Sequence, residues 1–128
     1  MLLAGPGRAA PLQVVVTGSE NAKGNVLVAV CSEREFLQPN CTWSGRAKAH
    51  PGPVTVTVEV PVGTYAVQAF QDEDANGVIT MNALGMPTEP LGFSNNPTVR
   101  FSAPRFRDCA IQIGAMGARI EIALKKLF

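Results

Sequence analysis

The stretch Pro53–Val60, "PVTVTVEV", decides the fold. Val54, Val56, Val58 and Val60 fall on one side of an extended chain, and Thr55, Thr57 and Glu59 on the other. A strand alternates its side chains between two faces, and β-branched residues suit a pleated, half-buried surface. The segment is therefore expected to be a strand with one face in a core and one in water. "PVG" (61–63) turns the chain, and "TYAVQAFQ" (64–71) follows as its expected hairpin partner.

The same signal returns on both sides. "PLQVVVTG" (11–18) alternates through Leu12, Val14 and Val16. After a turn marked by Gly18, Asn21 and Gly24 comes "NVLVAVC" (25–31), nearly continuously apolar, as a central strand is. "DCAIQIG" (108–114) and "ARIEIALK" (118–125) read as a last hairpin, with Cys109 a small core residue at a strand start. "TVRF" (98–101) is a candidate seventh strand, and "SEREFL" (32–37) fits a single helical turn. Short antiparallel strands between turns predict an all-β protein, a single β-sandwich of about seven antiparallel strands with one long ordered loop.

The 128 residues suit one domain, assigned to 11–128. Residues 1–10 read as an N-terminal tail or the remnant of a signal peptide. A net charge of +1 gives no bulk electrostatic ground for binding nucleic acid. No apolar run reaches the roughly 20 residues of a transmembrane helix.

Cys31 and Cys41 flank the turn-like "CSEREFLQPNC", whereas Cys109 stands apart. A Cys31–Cys41 disulfide would be worth about 2–3 kcal/mol in the chain-entropy model and would imply an oxidising compartment. The alternative is two buried thiols. No Cys-x-x-Cys occurs, which argues against thiolate zinc sites and thioredoxin-type chemistry.

The segment "QDEDANGVITMNALGMPTEPLGFSNN" (71–96) carries the functional candidates. Asp72, Asp74, Asn76 and Gly77 match positions 1, 3, 5 and 6 of a calcium loop, Val78 would offer its carbonyl, and Thr80 falls at position 9. Position 12 is Ala83, so the usual bidentate acid is missing; Asn82, or Glu89 folding back, is left to replace it. The alternative is an acidic turn that caps itself, with Asp and Asn side chains bonding their own backbone. Downstream, Leu84, Met86, Leu91 and Phe93 are apolar anchors among turn-forming Gly and Pro. Such a loop packs over an open end of the sandwich or covers a ligand. Glu89, Phe93, Ser94, Asn95 and Arg105 are the candidate ligand-binding residues, with Arg105 or Arg107 also available to pair with Glu89 or Asp72. His50 is the single histidine, in a loop, with no triad partner in sight. Trp43 is expected to pack on the disulfide.

"VEVPVGTYAVQAFQDEDANGVITMNALGMPTEPLGFSNN", with "VRFSAPRFRDCAI" behind it, resembles the DUF2141 family, small bacterial proteins that generally carry export signals. The matching positions are Pro61, Gly63 and Tyr65; Asp72, Asp74, Asn76 and Gly77; Gly85, Pro87, Glu89, Gly92, Phe93, Ser94 and Asn95; and Pro104 and Phe106. Gln71 stands where the family often has His, and Thr80 or Met81 where a further Asp is usual; each departure removes a potential ligand. The resemblance implies an immunoglobulin- or prealbumin-like sandwich outside the cytoplasm, and no chemistry. The expectation is an exported, periplasmic or secreted, non-enzymatic binding module using the 72–96 loop, its partner a protein, peptide or glycan. One alternative is a calcium-stabilised structural domain. Another is a hydrolase-type enzyme on a prealbumin-like scaffold, for which acid–base residues are few.

Overall fold

The computed structural model describes residues 9–19, 21–38, 40–79, 88–99 and 103–126. Strand β4 (Val54–Pro61) buries all four valines and exposes Thr55, Thr57 and Glu59, as its alternation predicts. It pairs antiparallel with β1 (Ala9–Thr17), so that Val56 lies opposite Val14 and Val58 opposite Leu12. On its other edge β1 pairs with β8 (Ala118–Ala123), completing a three-stranded sheet β4-β1-β8. The second sheet runs β3-β2-β5-β6, from β2 (Asn25–Cys31), β3 (Trp43–Lys48), β5 (Gly63–Asp72) and β6 (Leu91–Phe93). β7 (Ile111–Ile113) joins the start of β5.

The two sheets enclose a core built on Leu12, Val14, Val16, Val26, Val28, Val30, Val67, Ile113, Ile122 and the β4 valines. Each fully buried aliphatic side chain contributes about 1.5–3 kcal/mol. Among the described residues the fold is an all-β sandwich, with eight strands where about seven are expected.

Three expectations are corrected. First, β4 and β5 do not form a hairpin: β4 joins β1 and β5 joins β2, in different sheets. β4 is apolar on one face only, whereas β5 is buried on both, which suits an interior strand of the larger sheet. The Tyr65 hydroxyl donates to the Pro61 carbonyl at 2.8 Å across this crossing, the back-bond of a tyrosine corner in β-sandwiches. Second, β7 and β8 also part, β7 to β5 and β8 to β1, and the β1–β8 ladder is parallel rather than antiparallel. Third, Cys109 does not start a strand. It ends a four-residue helix, α1 (Phe106–Cys109), where the Asp108 carboxylate accepts the Arg105 N–H at 3.2 Å.

β3 and β6 were not expected. β3 reads "WSGRAK": Trp43, Gly45 and Ala47 are partly buried and alternate with exposed Ser44, Arg46 and Lys48, a weak signal because two of the three inward residues are small. β6 is three residues around Gly92, where a Cβ would lie 2.5 Å from the Ala123 carbonyl oxygen. Glycine there lets β6 reach β8, and Leu91 and Lys125 exchange backbone hydrogen bonds across that junction. Thr98 and Val99 lie outside any strand, and the rest of "TVRF" lies outside the described residues.

A second hydrophobic cluster joins Phe36, Ala66, Phe93 and Cys109, with Leu91, Val99 and Phe106 partly buried against it. Ala66 alternates with Tyr65 and Val67, so this cluster sits on the face of β5 turned away from the main core. Phe36 meets both Phe93 and Phe106 edge-on at 6.0 Å. It is presented by a turn in which its N–H bonds the Ser32 carbonyl at 3.0 Å, as "SEREFL" predicts. The Cys31–Cys41 disulfide closes this loop, with Cα atoms 5.1 Å apart. Trp43 packs edge-on against Tyr65, centroids 5.4 Å apart. No described helix is long and apolar enough to cross a membrane.

Candidate functional site

The acidic loop grows from the end of β5. Gln71 is fully buried, and its Nε2 donates to the Asn21 side chain at 2.8 Å and the Lys23 carbonyl at 3.0 Å. Its Oε1 accepts from the Ser19 hydroxyl at 3.3 Å. The turn between β1 and β2 is thereby pinned across the loop. Gly24, with φ +67°, presses so close that a Cβ would sit 1.8 Å from the Asp72 carbonyl oxygen, a contact and a conformation that only glycine tolerates. This packing places Lys23 beside the acidic residues. Gln71 spends its side chain on this clamp.

Asp72 is 1% exposed and acts as a cradle. Its Oδ1 accepts the Asn76 N–H at 3.2 Å and its Oδ2 the Gly77 N–H at 2.7 Å. Asn76 donates to Asp74 Oδ2 at 3.2 Å and accepts the Val78 N–H at 3.0 Å. The self-capped turn anticipated from Asp-x-Asp-x-Asn-Gly is therefore present. Glu89 then folds back onto it: 4% exposed, it accepts the Glu73 N–H at 2.7 Å.

The result is a convergence of carboxylates. One oxygen each from Asp72, Asp74 and Glu89 lie within 4.8 Å of one another. Opposite oxygens around one Ca²⁺ are about 4.6–5.2 Å apart, given its bond lengths. Two like charges at that spacing repel by about 1 kcal/mol in bulk water and about 3 kcal/mol at the effective dielectric of a protein surface. A cation relieves that repulsion. Carboxylate oxygens keep lone pairs beyond those used by the backbone N–H groups, so the cradle and a cation are compatible. Lys23, Glu73, Asp74, Thr88 and Glu89 line an open depression of about 360 Å³ here. Lys23 is the cation at its wall, and Arg105 is not among the lining residues.

The remaining candidates divide. Val78 is exposed and follows Gly77 in the turn, while Thr80, Asn82, Ala83, Leu84 and Met86 lie outside the described residues. Phe93 is buried in the second cluster. Ser94 is fully buried; its hydroxyl accepts the Val67 N–H at 2.9 Å and donates to the Cys109 carbonyl. Asn95 donates to the Ala110 carbonyl at 3.1 Å. Arg105 sits at the N-terminus of α1. Ser94 and Asn95 tie β6 to β5 and to the end of α1, Arg105 bonds within α1, and none of the four lines the acidic depression.

One participant, Lys23, carries no signal in the sequence and is brought in by the Gln71 clamp. Asn96 is engaged elsewhere: its side chain accepts the Ala123 N–H at 2.9 Å and donates to the Glu121 carbonyl at 3.3 Å, along β8. Asn95 and Asn96 both have positive φ, 67° and 47°. Consecutive asparagines after a strand, a residue type that tolerates this region, were the available signal.

The other reactive groups stand apart from the site. His50 is exposed, its Nδ1 3.0 Å from the Pro51 carbonyl oxygen. Burial, with Asp108 nearby, pushes the Cys109 thiol up to about 11, which suppresses the thiolate.

An all-β sandwich with an acidic, carboxylate-lined loop at the end of one central strand is the class that fold and site define. The chain belongs to the DUF2141 family, described as uncharacterized protein conserved in bacteria, whose model matches residues 14–121. That span contains the clamp, the cradle, Glu89 and the Ser94–Asn96 ties. No curated protein and no solved structure matches the chain.

Proposed function

We propose that this protein is a non-enzymatic, extracytoplasmic binding module whose 72–96 loop is organised by a divalent cation held by Asp72, Asp74 and Glu89. The observation that carries the reading is the return of Glu89 to the acidic turn, with its carboxylate within 4.8 Å of the two aspartates. It takes the role that Ala83 leaves empty at position 12. An all-oxygen, carboxylate-rich donor set suits hard cations, and calcium tolerates the irregular geometry of a loop better than magnesium does. The disulfide is compatible with an oxidising compartment. The loop's partner is a protein, peptide or glycan, met at the open depression beside Glu89.

Calorimetric titration with calcium tests the cation. Saturable binding in the wild type, weakened at least tenfold in Glu89→Gln, supports the reading. Wild-type protein that takes up no calcium at millimolar concentration refutes it, and leaves Lys23 as the charge that balances the loop. Glycan and peptide arrays, run with calcium and with chelator, then test the partner.

A further inference from the structure

Asn76-Gly77 is the one Asn-Gly pair in the sequence, and both residues are exposed. We propose that Asn76 is a site of spontaneous deamidation through a succinimide, and that the acidic turn assembles the groups the reaction needs. The inference goes beyond the cation reading and does not depend on it.

In the ring-closing step the Gly77 backbone nitrogen attacks Asn76 Cγ, and a C–N bond forms. The Gly77 N–H proton must leave, and that N–H already points at Asp72 Oδ2, 2.7 Å away. Negative charge gathers on Asn76 Oδ1, which accepts the Val78 N–H at 3.0 Å, so a donor is aimed where charge develops. The Cγ–Nδ2 bond then breaks. The amide nitrogen, held by Asp74 Oδ2 at 3.2 Å, departs as ammonia with the proton that Asp72 received. Water opens the imide at either carbonyl to give aspartate or isoaspartate. No oxidant, metal or enzyme is needed.

The other described asparagines lack this arrangement. Asn25 is held in β2, and Asn96 precedes Pro97, which has no N–H to attack with. Asn21, Asn40 and Asn95 precede Ala22, Cys41 and Asn96, whose side chains crowd the attacking nitrogen. The product adds a carboxylate beside Asp72, Asp74 and Glu89. In its isoaspartyl form it also lengthens the backbone by one carbon between two N–H groups that Asp72 holds.

The test is peptide mapping by mass spectrometry of the folded protein, incubated with chelator at mildly alkaline pH, beside the same chain kept unfolded in urea. Chelator makes the outcome independent of calcium binding. The expected result is conversion of Asn76 ahead of every other asparagine, severalfold faster in the folded protein than in the unfolded chain, to a mixture of aspartate and isoaspartate. An Asn76 that stays intact in the folded protein, or converts more slowly there than in urea, would overturn the proposal, because the turn would then shield the amide.

Discussion

Glu89 Oε2 accepts the backbone N–H of Glu73 at 2.7 Å, joining the far end of the long loop to the residue that follows β5. Glu89→Ala removes that acceptor from a nearly buried position and leaves the Glu73 N–H without it. A fully buried orphaned donor costs about 1–3 kcal/mol, and the part-buried Glu73 N–H costs less because water can reach it. In chelator the lost acceptor is offset by relief of the repulsion from Asp72 and Asp74, so urea denaturation is expected to show Glu89→Ala less stable than Glu89→Gln, which keeps an acceptor oxygen and sheds the same charge.

Ser94 ties β6 to the middle of β5 and to the end of α1 through one hydroxyl. Ser94→Ala strands the buried Val67 N–H and Cys109 carbonyl, with an expected loss of about 1–3 kcal/mol. Thermal unfolding measures it. Asn95→Ala, at an exposed position, is expected to cost less.

The disulfide closes the loop that carries Phe36 into the second cluster. Replacing Cys31 and Cys41 together by Ala is expected to cost about 2–3 kcal/mol, from the entropy returned to the unfolded chain. The same double variant should expose Cys109 to alkylation faster than in the wild type, since Phe36 packs in its cluster. Equal alkylation rates would show that the loop does not guard that cluster.

Glu35 carries an acid-range dependence. Its carboxylate accepts from the Thr42 hydroxyl, from the Ser32 N–H at 3.2 Å and from the Thr42 N–H at 3.1 Å. The Thr42 hydroxyl, then the Ser32 N–H, hold its carboxyl below the ordinary 4.5. A carboxyl lowered by folding stabilises the native state fully above its unfolded value, and that contribution disappears as pH falls through the folded value. Stability followed from neutral pH into the acid range should fall, and Glu35→Gln should flatten the acid end of that curve.

The legible parts of the fold were those written in side-chain period. The β4 valines, the alternation of β1 and the apolar run of β2 announced a sandwich, because burial of one face dictates those patterns. Pairing was less legible: both expected hairpins open into separate sheets, since a short turn fixes nearness and not partnership. β3 and β6 carry weak patterns, β3 because Gly45 and Ala47 on its inner face are small, and β6 because it is three residues held by backbone and Gly92. In the site, Asp72, Asp74 and the return of Glu89 could be anticipated from spacing and charge. Lys23 could not, because it arrives through a buried Gln71 that bonds the turn between β1 and β2. Ser94 and Asn95 looked like surface polar groups, yet their bonds run inward to backbone atoms distant in sequence.

If Asp72, Asp74 and Glu89 together hold a divalent cation, the melting temperature must rise with calcium. At calcium a hundredfold above its dissociation constant, a single native-state site adds about 2.7 kcal/mol. The wild type is expected to melt several degrees higher in calcium than in chelator, and a tenfold loss of affinity in Asp74→Asn or Glu89→Gln is expected to cut that difference by about half or more. Superimposable wild-type melts in millimolar calcium and in chelator would contradict it.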